Sequence, residues 1–416
     1  MISRVKGTQD FIDLSLFNFI ISQTKHHVQY YQFTEIATPI LEHIELFKRS
    51  LGIYTDVVSK EMFLIDNRGQ EPELCLRPEM TASTVRAFVE NNIVHTPWKV
   101  FSWGPLFRYE RPQKGRFRQF HQCSLEIIGA QGYMHDVEFI TMLDKLFTNG
   151  LKLTCYALHI NFLGTPEDRV VYRSALLAFL NKNIDTLCDN CKARKDTNSM
   201  RVFDCKNEQC ITLYKQAPVI TDYLSKESET EWQQIRNALE LLGVSYTHRP
   251  TLVRGLDYYN KTVFEFVSDN LGAQNAFCGG GRYDFLVKQL GGREDQPSLG
   301  AAFGIERLLL LLEPIQERLA LPHKPALNLV LPLTPAQQTL ALLLTESLRA
   351  HHLHVDVLLE GDSIKHMMKQ ANKRSASHVL IIGEDEQQSQ TVTIKNMMTG
   401  NSERIAQIDA VQYLKK

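Results

Sequence analysis

Apolar residues first recur at helical spacing over Leu14, Phe17, Ile20, Ile21, Val28 and Tyr31, and the chain then reads as extended over residues 33–39. A helix should lead into an edge strand there. Residues 74–76 alternate as a strand does, and Pro78, with its fixed φ, suits the first turn of a helix running through Val85, Phe88 and Val89. Glu79 and Thr81 sit at that junction. Residues 106–110 and the returning segment 120–127 also alternate: Arg108 and Glu110 share a face, as do Phe120, Gln122 and Glu126, while Cys123, Leu125 and Ile127 point the other way. Paired as a long hairpin, they would gather an arginine, two carboxylates, an amide and an aromatic ring on one surface. Such a mixture can hold a phosphate, a base edge, a cationic ligand and a stacked ring together. The plainer alternative is a solvated sheet face.

Two glycine-rich stretches follow, 278–284 and 300–304, the second leading into a helix over 305–312. Pro314, Pro322 and Pro325 then space out a connector, the best candidate for a domain boundary. Beyond it the pattern changes to strand (328–333), helix (337–351), strand (354–359), helix (363–373) and buried strand (378–383), which predicts a small α/β domain with a largely parallel sheet. Residues from about 165 to 245 read as helical and are polar enough to be an insertion. The expected organisation is therefore a first domain over 1–325 carrying that insertion and a second over 326–416.

Composition narrows the class only modestly. With 416 residues, 44% of them hydrophobic, the chain can bury a large core. A net charge of −1 decides nothing about nucleic acid, because polyanions respond to local surfaces. Two such surfaces exist. Arg108, Arg111, Lys114, Arg116 and Arg118 crowd a stretch containing Pro112 and Gly115, and Lys365, Lys369 and Lys373 line one side of a helix, although the latter also fits an ordinary solvated face. Charges among the first 13 residues interrupt any secretory apolar core, and the run Leu308 to Leu312 is far shorter than the roughly 20 residues of a membrane helix. A cytoplasmic protein without a membrane span is expected.

Eight cysteines in such a chain read as thiols or metal ligands. Cys188-x2-Cys191 with Cys205-x4-Cys210 suits a tetrahedral zinc ion or four unliganded thiols, and no metal ligand is assigned on this basis; Cys75, Cys123, Cys155 and Cys278 read as small core residues. Neither a Gly-rich Walker loop nor a dinucleotide fingerprint is present, so any phosphate binding falls to arginines, of which Arg108, Arg116, Arg254, Arg282 and Arg307 are candidates.

The segments Phe107-Arg-Tyr-Glu-Arg-Pro-Gln-Lys-Gly-Arg-Phe-Arg-Gln-Phe-His-Gln122 and Gly300-Ala-Ala-Phe-Gly-Ile-Glu-Arg307 resemble motifs 2 and 3 of class II aminoacyl-tRNA synthetases, and Glu35 to Phe47, with Pro39, resembles motif 1. Motif 3 carries Ala302 where a middle glycine stands in the general pattern. Leu252-Val-Arg-Gly-Leu-Asp-Tyr-Tyr259 and Gly280-Gly-Arg-Tyr-Asp284 are similar to the two histidine-specific motifs of the histidyl-tRNA synthetase family, Lys6-Gly-Thr-Gln-Asp10 to its N-terminal signature, and Leu380-Ile-Ile-Gly-Glu-Asp385 to its anticodon-binding domain. The resemblance spans essentially the whole chain.

It implies an α+β fold: an antiparallel-sheet catalytic domain with a helical insertion, followed by an α/β anticodon-binding domain. It also implies a homodimer joined through motif 1, where Ile40, Leu41, Ile44 and Phe47 offer an apolar surface. The activity implied is formation of histidyl-adenylate from L-histidine and ATP, with Mg2+, and transfer of the histidyl group to tRNA(His). By resemblance Arg108 and Arg254 are catalytic, holding the α-phosphate and the amino-acid carboxylate. Arg116 and Arg307 hold the outer phosphates, Phe120 stacks on adenine and Glu110 reads its amino group. Glu79, Thr81 and Gln122 hold the ends of the amino acid with Met80 beside them, and Glu126, Tyr258 and Tyr259 surround the imidazole. Gln113, Lys114, Lys365, Lys369 and Lys373 meet tRNA. Two other classes fit less well. A histidine-binding regulatory subunit of ATP phosphoribosyltransferase lacks the region 326–416 and has eroded motifs, and an RNA-binding module leaves the tyrosine-rich segment unexplained.

Overall fold

The structure, a computed structural model, describes residues 2–53, 55–66, 73–272, 275–321, 325–360 and 363–415. The chain divides into two compact units, Met1–Leu321 and Pro322–Lys416, a few residues ahead of the boundary suggested by proline spacing. Pro322 itself lies outside the described residues.

Among the described residues the first unit is built on an eight-stranded sheet. Its order is Thr34–Glu35, Trp98–Phe107, Gln119–Ile128, Ser298–Gly304, Ala276–Arg282, Asn260–Val267, Ala157–Phe162, Thr247–His248. The first and last pairings are parallel and the five between them antiparallel. Alternation along Gln119–Ile128 puts Cys123, Leu125 and Ile127 into an apolar core with Leu299, Ala301 and Phe303 of the neighbouring strand. The opposite face is different. There Ser124 pairs with Ala302, Ala302 with Gly279, and Glu126 with Gly300, so the sheet presents mostly backbone where a ligand could lie close.

Helix Ser15–Gln29 buries Phe17, Ile20, Ile21 and Val28, the stripe predicted from their spacing. The helix expected to start at Pro78 begins instead at Thr81 and runs to Glu90, because Glu79 folds back to accept hydrogen bonds from the N–H groups of Thr81 (2.7 Å) and Ala82 (2.8 Å). Ile44 and Phe47, expected on a dimer surface, pack inside this chain on helix Ile44–Leu51; only Ile40 and Leu41 of that set remain exposed. The polar insertion opens with helix Pro166–Lys182, capped reciprocally by Thr165 and Asp168. Asp168 also accepts from Ser225 N–H (2.8 Å), at the cap of helix Lys226–Leu241.

The second unit carries a five-stranded sheet ordered Val355–Val357, Asn328–Pro332, His378–Ile382, Thr391–Asn396, Ser402–Ala406. Its first three strands are parallel, as the alternation predicts. The last two form an antiparallel hairpin that the sequence reading did not include, so the sheet is mixed rather than largely parallel. Helix Gln338–Ala350 packs on one face through Ala341, Leu344 and Leu348, and helix Ile364–Lys373 on the other through Met367 and Ala371. Lys365, Lys369 and Lys373 stay exposed.

Candidate active site

A cavity of about 820 Å3 opens on the glycine-lined face of the first unit's sheet. Its wall brings together Glu79, Met80, Thr81, Arg108, Glu110, Arg116, Phe120, Gln122, Arg254, Tyr258, Tyr259 and Arg307, residues drawn from segments far apart in the chain. The hairpin, the start of helix Thr81–Glu90, the 252–259 loop, strands Ala276–Arg282 and Ser298–Gly304 and the start of helix Ile305–Leu312 each contribute.

Arg108 leaves the end of strand Trp98–Phe107, donates from Nε to the Pro78 carbonyl (2.9 Å) and lies over the Phe120 ring at 5.4 Å. Burial pulls its pKa down, partly offset by the charges of Glu61 and Glu79. Arg116 pairs with Glu110 across the hairpin neck. Arg307, at the start of helix Ile305–Leu312, donates to the carbonyls of Gly115 (3.3 Å) and Ala276. Burial, with Arg116 and Arg108 nearby, lowers it to about 10. These three guanidiniums therefore repel one another across the cavity, the condition under which a polyphosphate is most strongly attracted.

Arg254 faces them from the 252–259 loop. It pairs with Glu265 and sits beneath the Tyr259 ring at 5.7 Å. Burial opposes its charge, yet Glu265 holds its pKa above the ordinary arginine value. Gly279 makes this position accessible, since a Cβ there would fall on the Arg254 guanidinium. Gly255, next in the chain, does not adopt positive φ.

Glu126 does not line the cavity. It lies one layer beneath, 1% exposed, accepting from the hydroxyls of Thr81 (2.7 Å), Ser124 (2.7 Å) and Tyr283 (2.5 Å). Burial pushes its carboxyl up to about 8 despite these donors, which favours the protonated form near neutral pH. Gly300 permits the arrangement, because a Cβ there would occupy the carboxylate's position. Above it Tyr258 and Tyr259 pack at 4.5 Å between ring centroids, and Tyr258 meets Tyr283 edge-on at 5.6 Å.

Sequence reasoning missed Tyr283, Glu61 and Glu265. Tyr283 was legible within the 280–284 motif, whereas nothing in the local pattern marks the other two. Arg282, a candidate phosphate ligand, is instead buried and bonded to Asp136, Asp284 and the carbonyls of Ala130 (2.9 Å) and Gly132 (2.8 Å). His121 turns away from the cavity to pair with Glu306 (2.9 Å) and pack on Phe11 and Phe17. Cys155, read as a core residue, is exposed. Gln113 and Lys114 occupy the exposed hairpin tip, closed by mutual backbone bonds between Gln113 and Arg116 (3.1 and 3.0 Å). The 6–10 segment docks on the hairpin, where the Gly7 carbonyl accepts from Arg118 N–H at 2.7 Å.

Residues 20–308 match the family profile described as Histidyl-tRNA synthetase, and residues 328–416 match that described as Anticodon binding domain. The chain is 41% identical to the histidine--tRNA ligase of Halothermothrix orenii, covering 99% of this chain and 98% of that one. It is 43% identical to that of Oleidesulfovibrio alaskensis, covering 97% of each. The fold matches a crystal structure of apo S. aureus histidyl-tRNA synthetase with a TM-score of 0.83 at 33% identity, over 100% of both chains.

Proposed function

The chain belongs to the histidyl-tRNA synthetase family and charges tRNA(His) with histidine, and from that premise we propose how its side chains divide the work. The observation that carries the assignment is the convergence of Arg108, Arg116, Arg254 and Arg307 with Tyr258, Tyr259 and Glu79 on one cavity floored by glycine backbone.

ATP lies with its adenine on Phe120 and its amino group at Glu110, and its outer phosphates between Arg116 and Arg307. Histidine enters opposite, its ammonium at Glu79 and Gln122, Met80 and Thr81 beneath it, and its imidazole against the contacting pair Tyr258 and Tyr259. The carboxylate oxygen attacks the α-phosphorus, the bond to the β-phosphate bridging oxygen breaks, and pyrophosphate leaves. Arg108 and Arg254, fixed on opposite sides by the Pro78 carbonyl and by Glu265, stabilise the charge that builds on the α-phosphate without reorganising. The terminal ribose hydroxyl of tRNA then attacks the acyl carbon and AMP departs. Glu126 acts through the hydroxyls of Thr81 and Tyr283, which set the donors and acceptors that the imidazole pocket offers.

Magnesium neutralises the outer phosphates when bound, and Glu61, whose charge acts on both Arg108 and Arg116, is a hard oxygen donor suited to that position. Gln113 and Lys114 at the hairpin tip meet the tRNA acceptor end, and Lys365, Lys369 and Lys373 meet phosphates elsewhere on the tRNA. The protein acts in the cytoplasm; among the described residues no helix is long and apolar enough to cross a membrane. Two chains associate, with exposed Ile40 and Leu41 contributing apolar contact. Sedimentation giving a monomer at micromolar concentration would refute the dimer.

The assignment is tested by exchange of labelled pyrophosphate into ATP. Histidine should support exchange and other amino acids should not. Exchange independent of histidine would overturn the assignment.

A further inference from the structure

The stretch from residue 184 to 215 is folded with little apolar core of its own. Helix Asp189–Thr197 buries only Cys191, the turn Ile184–Thr186 buries nothing, and helix Glu208–Tyr214 buries only Cys210 and Tyr214; Leu187 and Val202 are the other buried apolar side chains of the stretch. A segment so poor in apolar contacts usually depends on a covalent or metal staple.

What its pieces share is sulfur. The Sγ atoms of Cys188, Cys191, Cys205 and Cys210 all lie within 4.8 Å of one another, and those of Cys188 and Cys205 are 3.7 Å apart. Four thiolates at about 2.3 Å from a zinc ion define a tetrahedron whose edges are about 3.8 Å. Disulfide sulfurs would stand only about 2.05 Å apart. Backbone N–H groups point at two of the sulfurs, Cys188 N–H at Cys210 Sγ (3.3 Å) and Asn207 N–H at Cys205 Sγ (3.4 Å). Such donors stabilise negative sulfur and are the kind of outer contact that orients metal ligands. The backbone suits the role as well: Cys188 caps helix Asp189–Thr197 with Cys191 one turn on, while Cys205 follows a 3-10 turn and Cys210 lies in the first turn of the next helix.

We propose that Cys188, Cys191, Cys205 and Cys210 bind one zinc ion as a closed structural site, and that this ion holds one wall of the catalytic cavity in place. Asn190, Arg194, Arg201, Asp204 and Lys206, interleaved with the four ligands, all line that cavity. Arg194 reaches Asp56 at 3.3 Å and Asn198 reaches Asp257 at 2.9 Å, tying the clamped segment to both sides of the opening. Four ligands from the chain leave no coordination position for substrate, so the ion organises and does not react. This site is independent of the reaction assigned to the cavity.

The full-length protein, purified without chelator or metal-affinity tag, should contain one zinc ion per chain by elemental mass spectrometry. The double variant Cys191→Ser/Cys210→Ser should contain none, and Cys205→His, which conserves a tetrahedral donor set, should keep it. Cobalt(II) added to the metal-stripped wild-type chain should give the thiolate charge-transfer and intense visible bands of a tetrahedral site, a readout that does not require any variant to fold. Hydrogen exchange should speed up in peptides covering 184–215 after stripping, and stay unchanged in the hairpin strands Trp98–Phe107 and Gln119–Ile128. Negligible zinc together with no cobalt–thiolate band would overturn the proposal, as would stoichiometric iron or a disulfide between any two of the four cysteines. Unchanged exchange over 184–215 on loss of zinc would overturn its role in holding the wall.

Discussion

Replacing Glu126 by Gln keeps the size of the side chain and removes its proton equilibrium. In the folded chain burial raises this carboxyl from 4.5 to about 8, more than the three hydroxyl donors pull it back. Because the folded value lies above the unfolded one, the stabilisation linked to this proton is complete below pH 4.5 and disappears as pH rises through about 8. Between those values the unfolded chain is ionised here and the native chain is not, so stability falls by about 1.4 kcal/mol per pH unit. Across the whole window the loss is on the order of 5 kcal/mol, an upper figure because the hydroxyls can reorient around the ionised form. Glutamine abolishes this slope, at a fixed cost of about 1 kcal/mol for an amide hydrogen placed against one of the hydroxyls. Trp98, Trp103 and Trp232 all lie in the first unit, so tryptophan fluorescence during urea unfolding follows that unit alone. The stability of wild type minus that of Glu126→Gln should be near zero or positive at pH 5 and should have fallen by several kcal/mol at pH 8.5, where the variant is the more stable protein. Other titrating groups cancel in the difference. Parallel curves for the two proteins across this range would refute a neutral Glu126.

Arg254→Ala should slow pre-steady-state adenylate formation by about 100-fold to 1,000-fold, with a smaller change in histidine affinity; a loss confined to affinity would remove the residue from catalysis. Gly300→Ala, whose methyl would meet Glu126 and the Leu125 carbonyl, should destabilise the first unit by roughly 1–3 kcal/mol, whereas Gly304→Ala, meeting only Arg307 at 3.7 Å, should stay within about 0.5 kcal/mol in the same fluorescence assay. Replacing Lys365, Lys369 and Lys373 together by Ala should leave pyrophosphate exchange intact and weaken tRNA binding, flattening the logarithmic salt dependence by roughly 0.7 to 0.9 per lost phosphate contact; an unchanged slope would exclude these lysines from the tRNA surface.

Local patterns made much of this architecture legible. Alternation along 120–127 separated the core-facing Cys123, Leu125 and Ile127 from the other face, and the strand–helix alternation after residue 328 marked the second unit. What failed was whatever depended on knowing what covers a face. Ile44 and Phe47 have the periodicity of an exposed apolar stripe, but the same periodicity serves an internal contact, and that is where they pack. Arg282 looks like the other arginines until Asp136 and Asp284 are placed beside it by folding. Glu126 alternates onto the cavity face correctly yet ends beneath the wall, because the hydroxyls of Thr81, Ser124 and Tyr283 close over it from three different elements. The hairpin Thr391–Ala406 is harder to read because its outer strand, Ser402–Ala406, is exposed over its first three residues and has no buried face.

The catalytic sheet has an awkward order of synthesis. The hairpin of Trp98–Phe107 and Gln119–Ile128 is bonded on its inner edge to Ser298–Gly304, about 170 residues later in the chain. At a translation rate of about 5–20 residues per second, that edge stays unpaired for on the order of 10 to 30 s after the hairpin emerges from the ribosome. Throughout that interval a nascent strand with Cys123, Leu125 and Ile127 on one face offers both free backbone groups and apolar surface to any neighbouring chain. Expression conditions that slow elongation between these strands should therefore raise the aggregated fraction, and chaperones that act before residue 304 is made should lower it.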